Sequence, residues 1–168
     1  MKLTIHCGEV PCGESDGECN ETLKTAFDEA TAILDFAPDR LGHALLLPVS
    51  LRPKLDVMRI PVELCPTSNV MTLGLATNFH GHLVEGLKLH PQLQHWLEID
   101  FPFSISTDDS GVFNTNPTKE LMLLALSWGI DKEMLRQIQI NSVGHCFCSD
   151  TVKEKLLHYF SHKSFPLL

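Results

Sequence analysis

Three features that the chain lacks narrow what it can be. It contains no run of about eighteen apolar residues, so we expect no transmembrane helix. It does not open on a basic segment followed by an apolar stretch, so we expect no secretory signal. Positive charge is also scarce, because 13 Lys and Arg residues are outnumbered by 21 Asp and Glu residues and the net charge is −8. This charge balance argues against a nucleic acid or an anionic membrane as the partner.

Cysteine pairs with the spacing of a zinc ribbon are missing as well. The chain has six cysteines, and without a secretory signal we expect them to be reduced thiols of a cytoplasmic protein rather than disulfides. The Cys12/Cys19 and Cys146/Cys148 pairs do not match structural zinc spacing. We therefore predict neither disulfides nor a structural zinc site. The six cysteines are Cys7, Cys12, Cys19, Cys65, Cys146 and Cys148.

What the chain does contain is an alternation of short strands and helices. Its 168 residues, 43% hydrophobic and 20% charged, suit one domain with a sizeable core. Predicted strands lie at Lys2–His6, in "DRLGHALLL" ending near His43, in "PVELCP", and at Phe103–Thr107. Predicted helices lie at 21–36, 51–60, 89–100, 117–128, 131–146 and 150–161. Asn116-Pro117 is typical of a helix start, with a capping residue followed by proline. The alternation predicts an α/β fold with parallel strands and right-handed crossovers.

Polar residues follow these strands at informative positions. His6 and His43 end two strands, and Asp108 and Asp109 follow the last one. In a barrel of alternating strands and helices, the carboxyl ends of the strands carry the active site. Four βα units make half of such a barrel. We therefore expect these side chains to meet at one edge of the sheet.

Each of these motifs has a plainer interpretation when it is taken alone. A histidine at a strand end, such as His6 or His43, can bind a metal, but it is more often a structural residue bonded to backbone. Two consecutive aspartates can cap a turn. Because neighbouring side chains diverge, Asp108 and Asp109 could instead face different targets, one a metal and the other a substrate. The three motifs in this order, each at a strand end, are more specific together than any of them alone.

The combination resembles the adenosine and AMP deaminase family of zinc aminohydrolases. The matching stretches are "HCGE" at 6–9, "RLGHA" at 40–44, "ELCPTSN" at 63–69 and "STDDSGVF" at 106–113. "TSN" and "DDSGVF" are closer to the adenosine deaminase-like branch, which acts on N6-methyl-AMP. The resemblance implies a TIM (β/α)8 barrel of the metal-dependent hydrolase type. These motifs would belong to barrel strands five to eight, which form its C-terminal half.

The resemblance also implies a role for each matching residue. His6 and Asp108 would bind Zn2+, and Glu9 would protonate the purine ring at N1. His43 would hold the attacking water and help to deprotonate it, and Asp109 would hydrogen-bond the purine, at N7. The implied partner is a small purine nucleoside or nucleoside monophosphate. The implied reaction replaces its exocyclic amine by oxygen and releases ammonia or methylamine.

One departure from the family pattern sets the limits of this interpretation. The family's other two zinc ligands form an H-x-H pair, and no such pair precedes His6. The one H-x-H present, at 80–82, is predicted to be a surface loop. We therefore interpret residues 1–168 as a single partial deaminase domain whose N-terminal half is missing.

Two other functions remain open, a non-catalytic half-barrel that only binds partners and another metal-dependent hydrolase of the same superfamily. A half-barrel would have two unpaired sheet edges, so self-association through them is expected.

Overall fold

In the described part of the chain, four short parallel strands and eight helices make up the fold. The computed structural model describes residues 1–10 and 19–162, with the side chains of the first helix described from residue 24 onward. The strands are β1 (Thr4–Cys7), β2 (Arg40–His43), β3 (Val62–Leu64) and β4 (Phe103–Ile105). The helices are α1 (Cys19–Phe36), α2 (Arg52–Met58), α3 (Pro66–Thr72), α4 (Leu83–Leu87), α5 (Leu93–Glu98), α6 (Pro117–Trp128), α7 (Lys132–Gly144) and α8 (Asp150–His162), with 3-10 turns at Val49–Leu51 and Thr77–Phe79.

The strands pair in chain order to form one parallel sheet, β1-β2-β3-β4, as predicted. Leu41 on β2 lies opposite Ile5 on β1 and Val62 on β3, and Val62 lies opposite Phe103 on β4. Because all four strands run the same way, their carboxyl ends lie along one edge of the sheet. The loops that follow β1, β2 and β4 therefore all start at this edge of the sheet.

Helix starts follow the capping signals in the sequence. Asn116 accepts the Lys119 backbone N–H at 3.0 Å and precedes Pro117, as predicted, and α6 ends at Gly129 in the left-handed region. Asp131 caps α7 in the same way through the Met134 N–H, at 2.8 Å. The helix predicted at 89–100 is shorter, because Leu93–Glu98 alone is helical.

Two helices were not predicted. α3 follows the "ELC" strand directly and has Pro66 at its first turn, and α4 follows the H-x-H segment. His80 and His82 of that segment are exposed, as expected for a surface loop. Both helices are too short to show a hydrophobic period in the sequence.

One hydrophobic core joins the sheet to the helices. Leucines from two strands and five helices are fully buried in it, and Trp96 of α5 stacks on Phe101 at 5.6 Å between ring centroids. The two outer strands are less well covered, because Ile5 and Ile105 are only half-buried. Among the described residues, no helix is both long and apolar enough to cross a membrane. The largest fully buried side chains are Trp96, Leu34, Leu41, Leu45, Leu47, Leu55, Leu64, Leu87, Leu93, Leu124, His43 and Glu120.

His90 is buried beside this core without a charge partner. Its Nδ1 accepts the backbone N–H groups of Gln92 and Leu93 at 3.2 and 2.9 Å, just before α5, and its ring lies 5.8 Å from that of Trp96. Burial lowers the pKa of His90 from 6.5 to about 3. The folded chain therefore binds this proton only at strongly acidic pH, whereas the unfolded chain binds it near pH 6.5.

We predict that His90 makes the fold acid-sensitive. Between about pH 6.5 and pH 3 the unfolded chain holds a proton that the folded chain excludes, so the free energy of unfolding falls as pH decreases. The loss should be about 2 kcal/mol from pH 7 to pH 5. His90→Asn keeps an acceptor for the two N–H groups but does not titrate. Urea unfolding at the two pH values should show a smaller loss in this variant.

The matched control is His80→Asn, at an exposed position whose positive φ asparagine tolerates. This variant should lose as much free energy of unfolding between pH 7 and pH 5 as the wild type does. His43 and His145 add to the loss in both proteins, because burial also lowers the pKa of each. An identical loss of stability in His90→Asn and wild type would contradict the prediction.

Candidate active site

The register of β1 against β2 brings two histidines together. His6 lies opposite Gly42, and Cys7 lies opposite His43. A Cβ atom on Gly42 would stand 2.4 Å from Cδ2 of His6, so only glycine leaves room for the ring in this position. The rings of His6 and His43 meet edge to face, with centroids 4.9 Å apart. His6 is exposed, with 55% of its side chain accessible, whereas His43 is fully buried.

A glycine turn brings Glu9 back over these histidines. Gly8 has φ +57°, and its carbonyl accepts the Leu46 N–H at 2.9 Å, which ties the turn to the loop after β2. Glu9 Oε2 then lies 3.6 Å from His43 Nε2 and 3.9 Å from His6 Nδ1. The His-x-x-Glu spacing thus places an acid within reach of both imidazoles.

Asp108 also approaches Nε2 of His43. Its Oδ2 lies 3.9 Å from His43 Nε2 and accepts the Ser68 hydroxyl hydrogen bond at 2.7 Å. Three residues here adopt left-handed backbone angles, His43 at φ 59°, Ala44 at φ 50° and Asp108 at φ 54°. Such conformations are unfavourable for residues other than glycine and cluster at functional sites. They direct the His43 and Asp108 side chains towards each other.

The contacts of Asn69 fix the proton on His43. The Cys65 backbone N–H can only donate, and it meets Asn69 Oδ1 at 3.3 Å, so the amide NH2 group faces His43 Nδ1, at 3.1 Å. An NH2 group donates, and Nδ1 must therefore be an acceptor. Burial lowers the pKa of His43, against the opposing effects of Glu9 and Asp108. A neutral His43 then carries its proton on Nε2, which faces both carboxylates.

Asp109 stands apart from this cluster. It is exposed, and its Oδ1 accepts the N–H groups of Gly111 and Val112, each at 3.1 Å. In this structure Asp109 therefore caps the turn that follows β4. Its side chain diverges from that of Asp108, which makes separate targets for the two carboxylates possible.

Two groups of potential metal ligands overlap at His43. One comprises His6, Glu9 and His43, and the other comprises His43, Cys65 and Asp108. Burial, together with the charge of Asp108, raises the pKa of the Cys65 thiol to about 12, so Cys65 is protonated at neutral pH. With its proton on Nε2, His43 has no lone pair to offer there. The free donors that remain are a His6 nitrogen and a Glu9 oxygen in the first group and an Asp108 oxygen in the second, and neither group contains both His6 and Asp108. These donor types suit a zinc-type ion.

Sequence reasoning assigned no role to Cys65, Ser68 and Asn69. The "ELCPTSN" stretch that contains them matched the family, yet nothing in its pattern showed that α3 begins there. The structure places the Ser68 and Asn69 side chains against Asp108 and His43. The four cysteines with described side chains, which include Cys65, are free, as expected.

Two cavities among the described residues are each slightly smaller than a typical pocket for a drug-sized ligand. A cavity of about 250 Å³ lies between the Gly8 turn and α1, lined by His6, Glu9 and Glu29. A second one, of about 260 Å³, lies at the opposite end of β4 beside Trp96 and Phe101, away from His43. Drug-sized ligands occupy pockets of roughly 300–1,000 Å³. The cluster of His6, Glu9, His43 and Asp108 is thus an open edge rather than a closed pocket.

Comparison with solved structures identifies the architecture. The apo structure of the N6-methyl-AMP deaminase from Arabidopsis thaliana matches with a TM-score of 0.76 at 31% identity, over 97% of this chain and 41% of that one. An Arabidopsis structure complexed with IMP matches with a TM-score of 0.75 at 30% identity. An adenine deaminase from Arthrobacter aurescens, only 19% identical, shares the fold with a TM-score of 0.65. The predicted fold class is confirmed, because these neighbours are adenosine deaminase-type TIM barrels and this chain supplies four of their βα units.

Sequence comparison leads to the same family. The N6-mAMP deaminase of Arabidopsis thaliana is 30% identical over 98% of this chain, and the N6-methyl-AMP deaminase of Homo sapiens is 29% identical over 96% of it. The chain spans only about 40% of the length of these relatives. The adenosine deaminase family model matches residues 1–163. The chain therefore belongs to the adenosine deaminase family, as its four strand-end motifs predicted.

Proposed function

We propose that this chain carries part of the active site of a zinc-dependent deaminase that acts on a purine nucleoside monophosphate of the N6-methyl-AMP type. The observation that carries the proposal is the convergence of Glu9 and Asp108 on His43 at the carboxyl edge of the sheet, where their Oε2 and Oδ2 atoms lie 3.6 and 3.9 Å from His43 Nε2. The relatives named N6-methyl-AMP deaminase, and the Arabidopsis structures titled as complexes with IMP and GMP, support the substrate class.

In this proposal His6 and Asp108 hold the metal. Each of them lies beside His43, whose Nε2 proton prevents that atom from acting as a ligand. Zinc, when bound, would allow water to ionise near neutral pH. Catalytic zinc sites have at least three protein ligands. We infer that the remaining ligands come from a segment beyond this chain, and that residues 1–168 are one part of a larger deaminase domain.

The other side chains would act on the substrate and on the attacking water. Glu9 would donate a proton to N1 of the purine, which makes C6 electrophilic as water adds there and ammonia or methylamine leaves. His43 would orient the water by donating from Nε2. Because Nε2 already holds a proton, the first proton of the water would pass to a neighbouring carboxylate and from there to the departing amine. The proton left on the new C6 hydroxyl would return to Glu9 as the carbonyl forms. Asp109 would hydrogen-bond the purine once the turn that it caps faces the substrate.

Glu9 needs more cover than the described residues of this chain provide. Its side chain is 35% exposed, whereas proton transfer to a ring nitrogen is favoured in a site that excludes water. The amino-terminal half of the barrel would supply that cover. We propose a cytoplasmic enzyme of purine nucleotide metabolism, an assignment supported by the free cysteines among the described residues.

A non-catalytic half-barrel is the second candidate, and the two unpaired sheet edges favour it. Within the described ranges 1–10 and 19–162, β1 pairs only with β2, and β4 pairs only with β3. Another metal-dependent hydrolase of the superfamily would share the fold and the metal ligands. Profiling with adenosine, AMP and N6-methyl-AMP against other amides and esters separates this third possibility from deamination.

We predict that Glu9→Gln abolishes deamination while the fold is kept. The test joins this chain to the amino-terminal barrel half of its Arabidopsis thaliana relative and follows product formation from N6-methyl-AMP. The amide keeps the size of the side chain but cannot donate the proton that N1 needs, so turnover should fall by about 10²–10⁴-fold. Activity within tenfold of the unsubstituted protein would remove Glu9 from the mechanism.

Asp109→Asn is the matched comparison for Glu9→Gln, since it makes the same change from acid to amide in the neighbouring strand-end loop. Because Asp109 is expected to touch the purine rather than to transfer a proton to N1, the Michaelis constant should rise as well as turnover fall. Equal effects of both variants on turnover alone would argue against this division of roles.

We also predict that the isolated chain self-associates or recruits a missing barrel half. The backbone groups of β1 and β4 that face outward are unpaired within the described sheet, and Ile5 and Ile105 are only half-buried. Each uncovered apolar side chain forfeits roughly 1.5–3 kcal/mol, against a typical stability of about 5–15 kcal/mol. Size-exclusion chromatography with light scattering should therefore detect species larger than 18.8 kDa.

A charge placed on the edge strand β1 tests whether the unpaired edge causes the self-association. Ile5→Lys on β1 should reduce association, because edge lysines oppose strand pairing. Val57→Lys, on the exposed face of α2, should leave it unchanged. A monodisperse 18.8 kDa species with a sharp cooperative melt would contradict the prediction.

A further inference from the structure

A fully buried glutamate lies behind the candidate active site. Glu120, in the first turn of α6, has no exposed surface. Burying a carboxyl group is costly unless its oxygens are well bonded. Among the described residues no lysine, arginine or histidine forms an ion pair with it. Its hydrogen-bond partners must therefore explain why an acid occupies this position.

Those partners belong to two loops of the site edge. Oε2 accepts the backbone N–H of Thr67, in the first turn of α3, at 2.9 Å. Oε1 accepts the hydroxyl hydrogen bond of Thr115, at the end of the loop that contains Asp108. Each carboxyl oxygen of Glu120 therefore has its own hydrogen-bond partner. Glu120 thus joins the segment after β3 to the segment after β4.

The first turn of α3 in turn contacts the site residues directly. Thr67, Ser68 and Asn69 are buried, with at most 5% of each exposed. Ser68 Oγ donates to Asp108 Oδ2 at 2.7 Å, and the Asn69 amide meets His43 Nδ1 at 3.1 Å. Glu120 accepts a hydrogen bond from Thr67, the residue immediately before Ser68 and Asn69. A shift of the Thr67 amide would therefore displace the donors that orient Asp108 and His43.

We propose that Glu120 is a positioning residue for the candidate active site. Its carboxylate fixes the first turn of α3, and through Ser68 and Asn69 it fixes the orientation of Asp108 and the tautomer of His43. The importance of Asp108 and His43 rests on the proposed function, but the effect of Glu120 on their orientation does not require activity. Ser127, also buried on α6, shows the contrast, since its hydroxyl bonds only to Leu123 O of its own helix.

Three substitutions separate hydrogen bonding from packing. Glu120→Gln can still accept from Thr67 with its oxygen, while its NH2 group donates to a rotated Thr115 hydroxyl. Glu120→Leu keeps a similar volume but leaves the Thr67 N–H without an acceptor. Glu120→Asp keeps the carboxylate and withdraws it by one methylene, and it serves as the second test should the leucine variant fail to fold. Leu124→Ala, a fully buried core position on the same helix, controls for general loss of stability.

The readout is the tautomer of His43 in the 168-residue chain labelled with 15N-histidine. Long-range 1H–15N spectra distinguish an Nε2–H ring from an Nδ1–H ring, and the His43 signals are those lost in His43→Asn. We expect a single Nε2–H form in the wild type, in Glu120→Gln and in Leu124→Ala. In Glu120→Leu or Glu120→Asp we expect mixed or exchange-broadened forms.

The second measurement is the kinetics of this chain joined to the amino-terminal barrel half of its Arabidopsis thaliana relative. Supporting residues around a metal site are typically worth 10–100-fold in activity, so Glu120→Leu should lower kcat by that factor with little change in KM. Glu120→Gln should restore it to near the wild-type value. An unchanged His43 tautomer in both Glu120→Leu and Glu120→Asp would overturn the proposal. So would equal spectral changes in Leu124→Ala, whereas an inactive enzyme with the expected spectra would count against the proposed function alone.

Discussion

Parallel pairing of four short strands is the constraint on which the candidate site depends. It sets His6 beside Gly42 and His43 beside Cys7, so that two histidines from distant parts of the chain meet at one edge. The absent Cβ of Gly42 leaves the space that the His6 ring occupies. The register of the sheet therefore determines which side chains meet, since a slip of one residue would turn these side chains to the opposite face. The loops after β1 and β4 add Glu9 and Asp108 to the same edge.

Behind this edge, a second layer determines what the site residues can do. Asn69 leaves His43 with its proton on Nε2, so His43 can donate to water or to an anion but cannot bind a metal through that atom. Ser68 satisfies one oxygen of Asp108, and burial keeps the Cys65 thiol protonated, with its pKa raised to about 12. The chemistry of His43 and Asp108 is therefore governed largely by α3, the seven-residue helix that carries Ser68 and Asn69.

The sequence alone predicted the parts of this arrangement that have local signals. Alternating strand and helix patterns, the Asn116-Pro117 cap and the polar residues at strand ends were sufficient for the fold class and for the His6, His43 and Asp108 positions. It did not predict α3 or α4, because helices of five to seven residues show no period. Nor could it reveal the bond between Glu120 and Thr67, which joins residues 53 positions apart.

The central claim is that His6 and Asp108 belong to a metal site that this chain only partly supplies. Titrating zinc into the purified chain against a chelator of known affinity tests it most directly, with His6→Ala and Asp108→Asn as paired variants. The account predicts binding weaker than micromolar to the chain alone, weakened further in both variants, and tighter binding once the amino-terminal barrel half is added. Stoichiometric binding tighter than micromolar by the chain alone, lost on His6→Ala, would contradict it and show that the ligand set is already complete.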